Sequence, residues 1–82
     1  MSTIIRDFPY NIGMNKLSQR LKELRKERNL SQKELADIIG TNNSSVCDWE
    51  RGRTEPSVEM IINICKLFEI SSDYLLGLSD TY

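Results

Sequence analysis

Residues 31–52 hold two short helix-forming segments separated by one glycine, Gly40, and closed by a second, Gly52. Ser31 can cap the first segment, with Glu34 completing a capping box at the third position. Leu35, Ala36, Ile38 and Ile39 give that segment an inward face. Gly40 permits a turn conformation that a side chain would penalise. Asn42 or Thr41 can cap the second segment, where Val46 and Trp49 sit three apart on one side. The opposite side carries small polar residues. A helix of this kind packs one face on a core and leaves the other free for a partner.

The flanking sequence supplies that core. Asn15 can cap an amphipathic helix running to about Arg28, with Leu17, Leu21 and Leu24 on one face. Asn29 is a plausible stop, because Asn tolerates the left-handed conformation. After the loop Glu50–Pro56, Ser57 can cap a fourth helix with Met60, Ile61, Ile64, Cys65, Leu67 and Phe68 as its apolar positions. A short fifth helix starts near Ser71 or Ser72 and stops at Gly77. No segment from the first helix onward alternates with the period of a strand. The pattern predicts an all-α bundle of about five short helices.

Residues 1–13 differ in character. Ile4, Ile5, Phe8, Tyr10 and Ile12 are apolar, while Pro9 and Gly13 break the pattern. We expect an N-terminal arm over 1–13, a domain over 14–78 and a tail over 79–82. Met14 can serve as an internal start.

At 82 residues the chain is one small domain. No apolar run reaches membrane length, and the start lacks the pattern of a signal peptide, so a cytoplasmic location is expected. Cys47 and Cys65 make no disulfide framework, and the absence of histidine argues against zinc and against histidine-dependent catalysis. No metal, cofactor or enzyme activity is expected. The net charge of −1 is unevenly spread. Residues 16–30 carry Lys16, Arg20, Lys22, Arg25, Lys26 and Arg28 against Glu23 and Glu27, a net +4. Residues 31–55 carry −2 and residues 56–82 carry −3. The chain is basic in its first helix and acidic at its end.

The spacing Ala36, Gly40, Val46, Trp49 resembles the helix-turn-helix of the Cro-like phage-repressor family, also called XRE-type. The resemblance covers roughly residues 17–76. It includes Leu-Lys-Glu-Leu-Arg before the motif, Leu30-Ser-Gln32 opening it, Trp49-Glu-Arg-Gly52 closing it, and Pro56-Ser57 leading into helix four. It implies the lambda-repressor-like fold, with Leu21, Leu35, Ala36, Gly40, Val46, Trp49, Ile61 and Ile64 in the core. Ala36 is small enough for helix three to cross close to helix two.

In that family the exposed face of helix three, here about 42–51, lies in the major groove of DNA. The stripe Asn43, Ser44, Cys47, Asp48 and Arg51 follows i, i+1, i+4, i+5, i+8, opposite Val46 and Trp49. Asn43, Ser44, Cys47 and Asp48 are the candidate base contacts. Asn43 can pair with adenine, and Asp48 can accept from cytosine N4 or help reject wrong sequences. The absence of an Arg suited to guanine leads us to expect A/T-leaning contacts. Candidate phosphate contacts are Arg20, Ser31, Gln32, Asn42, Arg51 and Arg53. Gln32 opens helix two, where backbone N–H groups also point outward. The resemblance further pairs Arg25 with Glu50 as architecture, while Cys65, on the apolar face of helix four, is expected in the core.

The expected role is sequence-specific DNA binding for transcriptional control, most simply repression by a homodimer on a palindromic operator. Dimer surfaces could come from Tyr74, Leu75, Leu78 and Tyr82, or from the arm. Two further readings keep the fold: an antitoxin-type regulator whose arm contacts a toxin, and a protein-interaction module.

Overall fold

A computed structural model describes residues 15–82. The expected arm, with Ile4, Ile5, Phe8, Pro9, Tyr10, Ile12 and Gly13, lies outside the described residues, as does Met14. The described residues form five helices and no strand: α1 Lys16–Glu27, α2 Gln32–Ile39, α3 Asn43–Arg51, α4 Val58–Phe68 and α5 Ser72–Leu76.

Each helix is closed at its start by the side chain just before it. Asn15 accepts from Ser18 N–H at 2.9 Å, Asn42 from Ser45 N–H at 2.8 Å, Ser57 from Met60 N–H at 3.2 Å and Ser71 from Tyr74 N–H at 3.0 Å. At α2 the capping box is complete. Ser31 Oγ accepts from Glu34 N–H, and Glu34 Oε1 accepts from Ser31 N–H at 2.8 Å. Each such cap is worth about 1 kcal/mol.

The far ends share one device. Asn29, Gly40, Gly52, Glu69 and Gly77 all have positive φ, each just beyond the last turn of a helix. The next residue then donates its N–H back five residues: Leu30 to Arg25 O, Thr41 to Ala36 O, Arg53 to Asp48 O, Ile70 to Cys65 O and Leu78 to Asp73 O. This closure satisfies carbonyls that would otherwise be left at the helix end. Glycine suits it because it carries no Cβ. The Asn29 stop is as expected; the Glu69 stop has no sequence signal.

The buried core is built from Leu17, Leu21 and Leu24 of α1, Leu35, Ala36 and Ile39 of α2, Val46 and Trp49 of α3, Ile64 and Phe68 of α4, then Ile70 and Leu75. Helix α1 packs on α3 and α5, α2 on α3 and α4, and α4 on α5. Full burial of one such aliphatic or aromatic side chain contributes about 1.5–3 kcal/mol. Ala36 has no exposed surface, consistent with its expected place between helices.

Three core expectations need correction. Gly40 is exposed, because its role is the left-handed turn rather than packing. Ile61 is only half-buried, since α4 turns Ile64 and Phe68 inward and leaves Ile61 at the margin. Ile38 is 54% exposed, because Leu35 and Ile39 already fill the inward side of a two-turn helix. Cys65 is likewise half-buried against the core, and its partial burial raises its thiol pKa.

The segment after α5 is also attached. Ser71 N–H donates to Tyr82 O at 2.9 Å, and the Tyr74 and Tyr82 rings lie 4.6 Å apart. The expected tail over 79–82 is thus tethered to the domain, with Asp80, Thr81 and Tyr82 exposed.

Candidate nucleic-acid interface

Helix α3 divides by face as its pattern demands. Val46, Trp49 and Glu50 are buried. Asn43, Ser44 and Arg51 are exposed, while Cys47 and Asp48 are half-buried. The outward row is continuous and combines amide, hydroxyl, thiol, carboxylate and guanidinium groups. Two left-handed glycines fix its ends, Gly40 with φ 90° and Gly52 with φ 77°.

Beneath this face lies a polar network. Arg25 donates from Nε to Glu50 Oε2 at 2.7 Å and from Nη2 to Glu50 Oε1 at 3.0 Å, and its Nη1 donates to Leu30 O at 2.8 Å. The two side chains are 11% and 3% exposed. A buried carboxylate needs such donors, since an unpaired one is costly. Gln32 Nε2 adds a third donor to Glu50, at 3.1 Å from Oε1. The expected pair of Arg25 and Glu50 is thus present, and it also holds the amide at the start of α2.

Two further ties were not anticipated. Ser18 Oγ lies 2.8 Å from Trp49 O and donates to it in a buried contact, joining α1 to the end of α3. Its signal was its place beside Leu17 and Leu21 on the inward face. Asn63 Nδ2 donates to Ile39 O at 3.1 Å, satisfying a carbonyl at the end of α2 from α4. Nothing local to Asn63 marks that contact.

The flanking polar residues fall into three groups. Ser31 and Asn42 are exposed at the starts of α2 and α3, with their side-chain oxygens already used as caps. Arg51 and Arg53 are exposed at the end of α3. Arg53 Nη1 lies 3.7 Å from Asp48 Oδ1, so two expected contact residues also face each other. Arg20 forms the third group and corrects an expectation. It is 8% exposed, with its guanidinium engaged inside the fold. Its guanidinium donates to the carbonyls of Tyr74 and Ser79 and to Asp80, and sits 4.1 Å from the centre of the Tyr74 ring. Fixed acceptors and an aromatic face at the end of α5 outcompete solvent for this cation.

A cavity of about 250 Å³ lies elsewhere, among Lys16, Leu17, Pro56, Ile61 and Leu76, with no lining residue from α2 or α3. The candidate site is a surface, not a pocket.

A family model described as Helix-turn-helix matches residues 21–75. The chain belongs to this helix-turn-helix family, of the XRE type. Within it, the chain is 37% identical over 62 residues to the uncharacterized HTH-type transcriptional regulator YobD of Bacillus subtilis, covering 76% of this chain and 55% of that protein. The crystal structure of the P22 c2 repressor in complex with a synthetic operator matches with a TM-score of 0.74 and 30% identity, over 80% of this chain and all of that one. The restriction-modification controller protein C.AhdI of Aeromonas hydrophila matches with a TM-score of 0.67 and 37% identity, over 73% of this chain and 91% of that one. The chain spans about half the length of the curated relatives it matches. The described part of this helix-turn-helix protein contains no helix long and apolar enough to cross a membrane.

Proposed function

We propose that this chain is a sequence-specific DNA-binding transcriptional repressor that inserts α3 into the major groove. The observation that carries this reading is the division of α3. One face is locked into the core, and the other is a continuous outward row in which Asn43, Ser44 and Arg51 are exposed and Cys47 and Asp48 half-buried. Its likeness to a repressor whose structure is known on operator DNA supports the same reading.

In this assignment Asn43 and Ser44 read base edges near the start of α3, with Cys47 and Asp48 one turn on. Ser31, Gln32, Asn42, Arg51 and Arg53 frame them at the phosphates. Arg20 is withdrawn from that set. Gln32 meets DNA already oriented by Glu50, which lowers the ordering cost of its contact.

One short helix covers few base pairs, so specific affinity requires two copies on a palindromic site. The dimer surface comes from the C-terminal segment or the arm. Leu75 is fully buried and leaves the first candidate, while Leu78 and Tyr82 are exposed. The setting is the cytoplasm, where operator DNA is accessible. An antitoxin-type role is the second reading; its candidate toxin contact, the arm over residues 1–13, lies outside the described residues.

Selection of bound sequences from random duplex DNA by the purified protein tests the reading. A two-fold symmetric, A/T-leaning enriched site is expected. Absence of enrichment, with weak binding at every salt concentration, would overturn it.

A further inference from the structure

The two carboxylates of α3 are in different states. Glu50 is buried and holds three donated hydrogen bonds from Arg25 and Gln32. Asp48 lies on the outer side, with its side chain 36% exposed, and its charge partner is Arg53, itself 63% exposed. This pairing is built into the backbone. Gly52, at φ 77°, turns the chain so that Arg53 N–H donates to Asp48 O at 2.9 Å. The closure fixes the root of Arg53 beside Asp48, and the guanidinium comes within 3.7 Å of the carboxylate.

We propose that Asp48 is a specificity-determining gate that competes with DNA phosphates for Arg53. The inference rests on α3 being the recognition helix. A phosphate that takes Arg53 must displace Asp48. The freed carboxylate then faces the groove without its cation. Most groups there are acceptors: guanine N7 and O6, adenine N7 and thymine O4. Only cytosine N4 and adenine N6 can donate to it. Each base pair carries one such amino group, so what discriminates is its strand: where adenine or cytosine lies on the strand that Asp48 faces, Asp48 exchanges one partner for another and Arg53 is released to the backbone. On other DNA, Asp48 keeps Arg53 and a phosphate contact is lost. Discrimination at one base pair is thereby coupled to grip on the backbone, which counters non-specific binding through Arg53.

The test measures affinity for the selected site and for random duplex across a salt series, in the parent protein, Asp48→Asn, Arg53→Ala and the double variant. Asp48→Asn should tighten binding to random duplex about tenfold at low salt, as expected when a like charge leaves the contact surface. It should steepen the dependence of log affinity on log salt by about 0.9, the release expected for one more phosphate contact. Affinity for the selected site should change less, so the ratio between the two falls. In the Arg53→Ala background most of the gain should vanish. A gain just as large without Arg53 would overturn the competition and leave simple repulsion. A random-duplex affinity unchanged by Asp48→Asn, in a protein that still binds its selected site, would overturn the gate alone. No salt-dependent binding by the parent protein would remove the DNA-binding reading and the gate together.

Discussion

The Arg25 guanidinium and the Glu50 carboxylate meet edge to edge, through parallel hydrogen bonds of 2.7 Å and 3.0 Å. The contact ties the last turn of α1 to the last turn of α3, and so sets the tilt of the outward row. Removing one partner strands a buried charge, at a cost of about 3–5 kcal/mol. Arg25→Ala should lower the melting temperature by roughly 12 °C or more, at about 4–8 °C per kcal/mol for a small domain. Replacing both residues by methionine should cost less than either alanine variant. Circular dichroism melts check both. Loss of affinity at unchanged stability would contradict the architectural role.

Arg20 is expected to act on stability alone. Arg20→Ala removes the donors to the carbonyls of Tyr74 and Ser79 and leaves those acceptors to water. It should destabilise the domain by about 1–3 kcal/mol. The salt dependence of DNA binding, measured well below the melting temperature, should keep its slope. A slope reduced by about one phosphate would return Arg20 to the DNA contacts.

Asn43 is exposed, and its amide makes no hydrogen bond that shapes the fold among the described residues. Asn43→Ala should leave melting within a few degrees, as surface substitutions usually do. It should weaken the selected site by about 1–3 kcal/mol and relax preference at one base pair per half-site. Equal weakening on all sequences would mean that Asn43 touches the backbone instead.

Glu69 ends α4 in the left-handed region, with φ 58° and ψ 48°. A residue with a Cβ is held there at a cost of about 1–2 kcal/mol, part of which glycine gives back through its freer unfolded chain. Glu69→Gly should therefore stabilise the protein by about 0.5–1 kcal/mol. Urea unfolding is a direct check, and a net loss of stability would show that the side chain contributes something its exposure conceals.

Gly40 and Gly77 share the left-handed geometry but differ in surroundings. A Cβ on Gly40 meets nothing within 4 Å, whereas one on Gly77 would lie 2.5 Å from Lys16 Cβ. Gly40→Ala should cost about 1–2 kcal/mol from backbone strain. Gly77→Ala should cost at least about 1 kcal/mol more, because the start of α1 must shift. Equal losses in paired urea titrations would show that α1 yields freely at Lys16.

Much of this was legible in local spacing. Asn15, Ser31, Ser57 and Ser71 announce their helices because capping needs only a short polar side chain and a backbone three residues on. Gly40, Gly52 and Gly77 announce the ends for the matching reason. What eluded the sequence depends on distant or fully shared geometry. Arg20 looked like any cation on an amphipathic helix, because the acceptors that claim it lie more than fifty residues away at the end of α5. Ile38 falls on the same helical face as Leu35, and spacing alone could not say that a two-turn helix leaves it at the rim. Asp48 and Arg53 were each assigned a DNA role, yet their mutual contact depends on a turn that spacing marks but does not measure.

The left-handed stop that closes every helix has a practical consequence for rewriting what the domain recognises. Because α3 is sealed at both ends by its own caps and held at its angle by the Arg25–Glu50 contact, its length and tilt do not depend on which side chains occupy 43, 44, 47 and 48. Those four positions form an exchangeable cartridge. Residues taken from a relative with a different target could be grafted there, and the receiving scaffold would present them at the original angle.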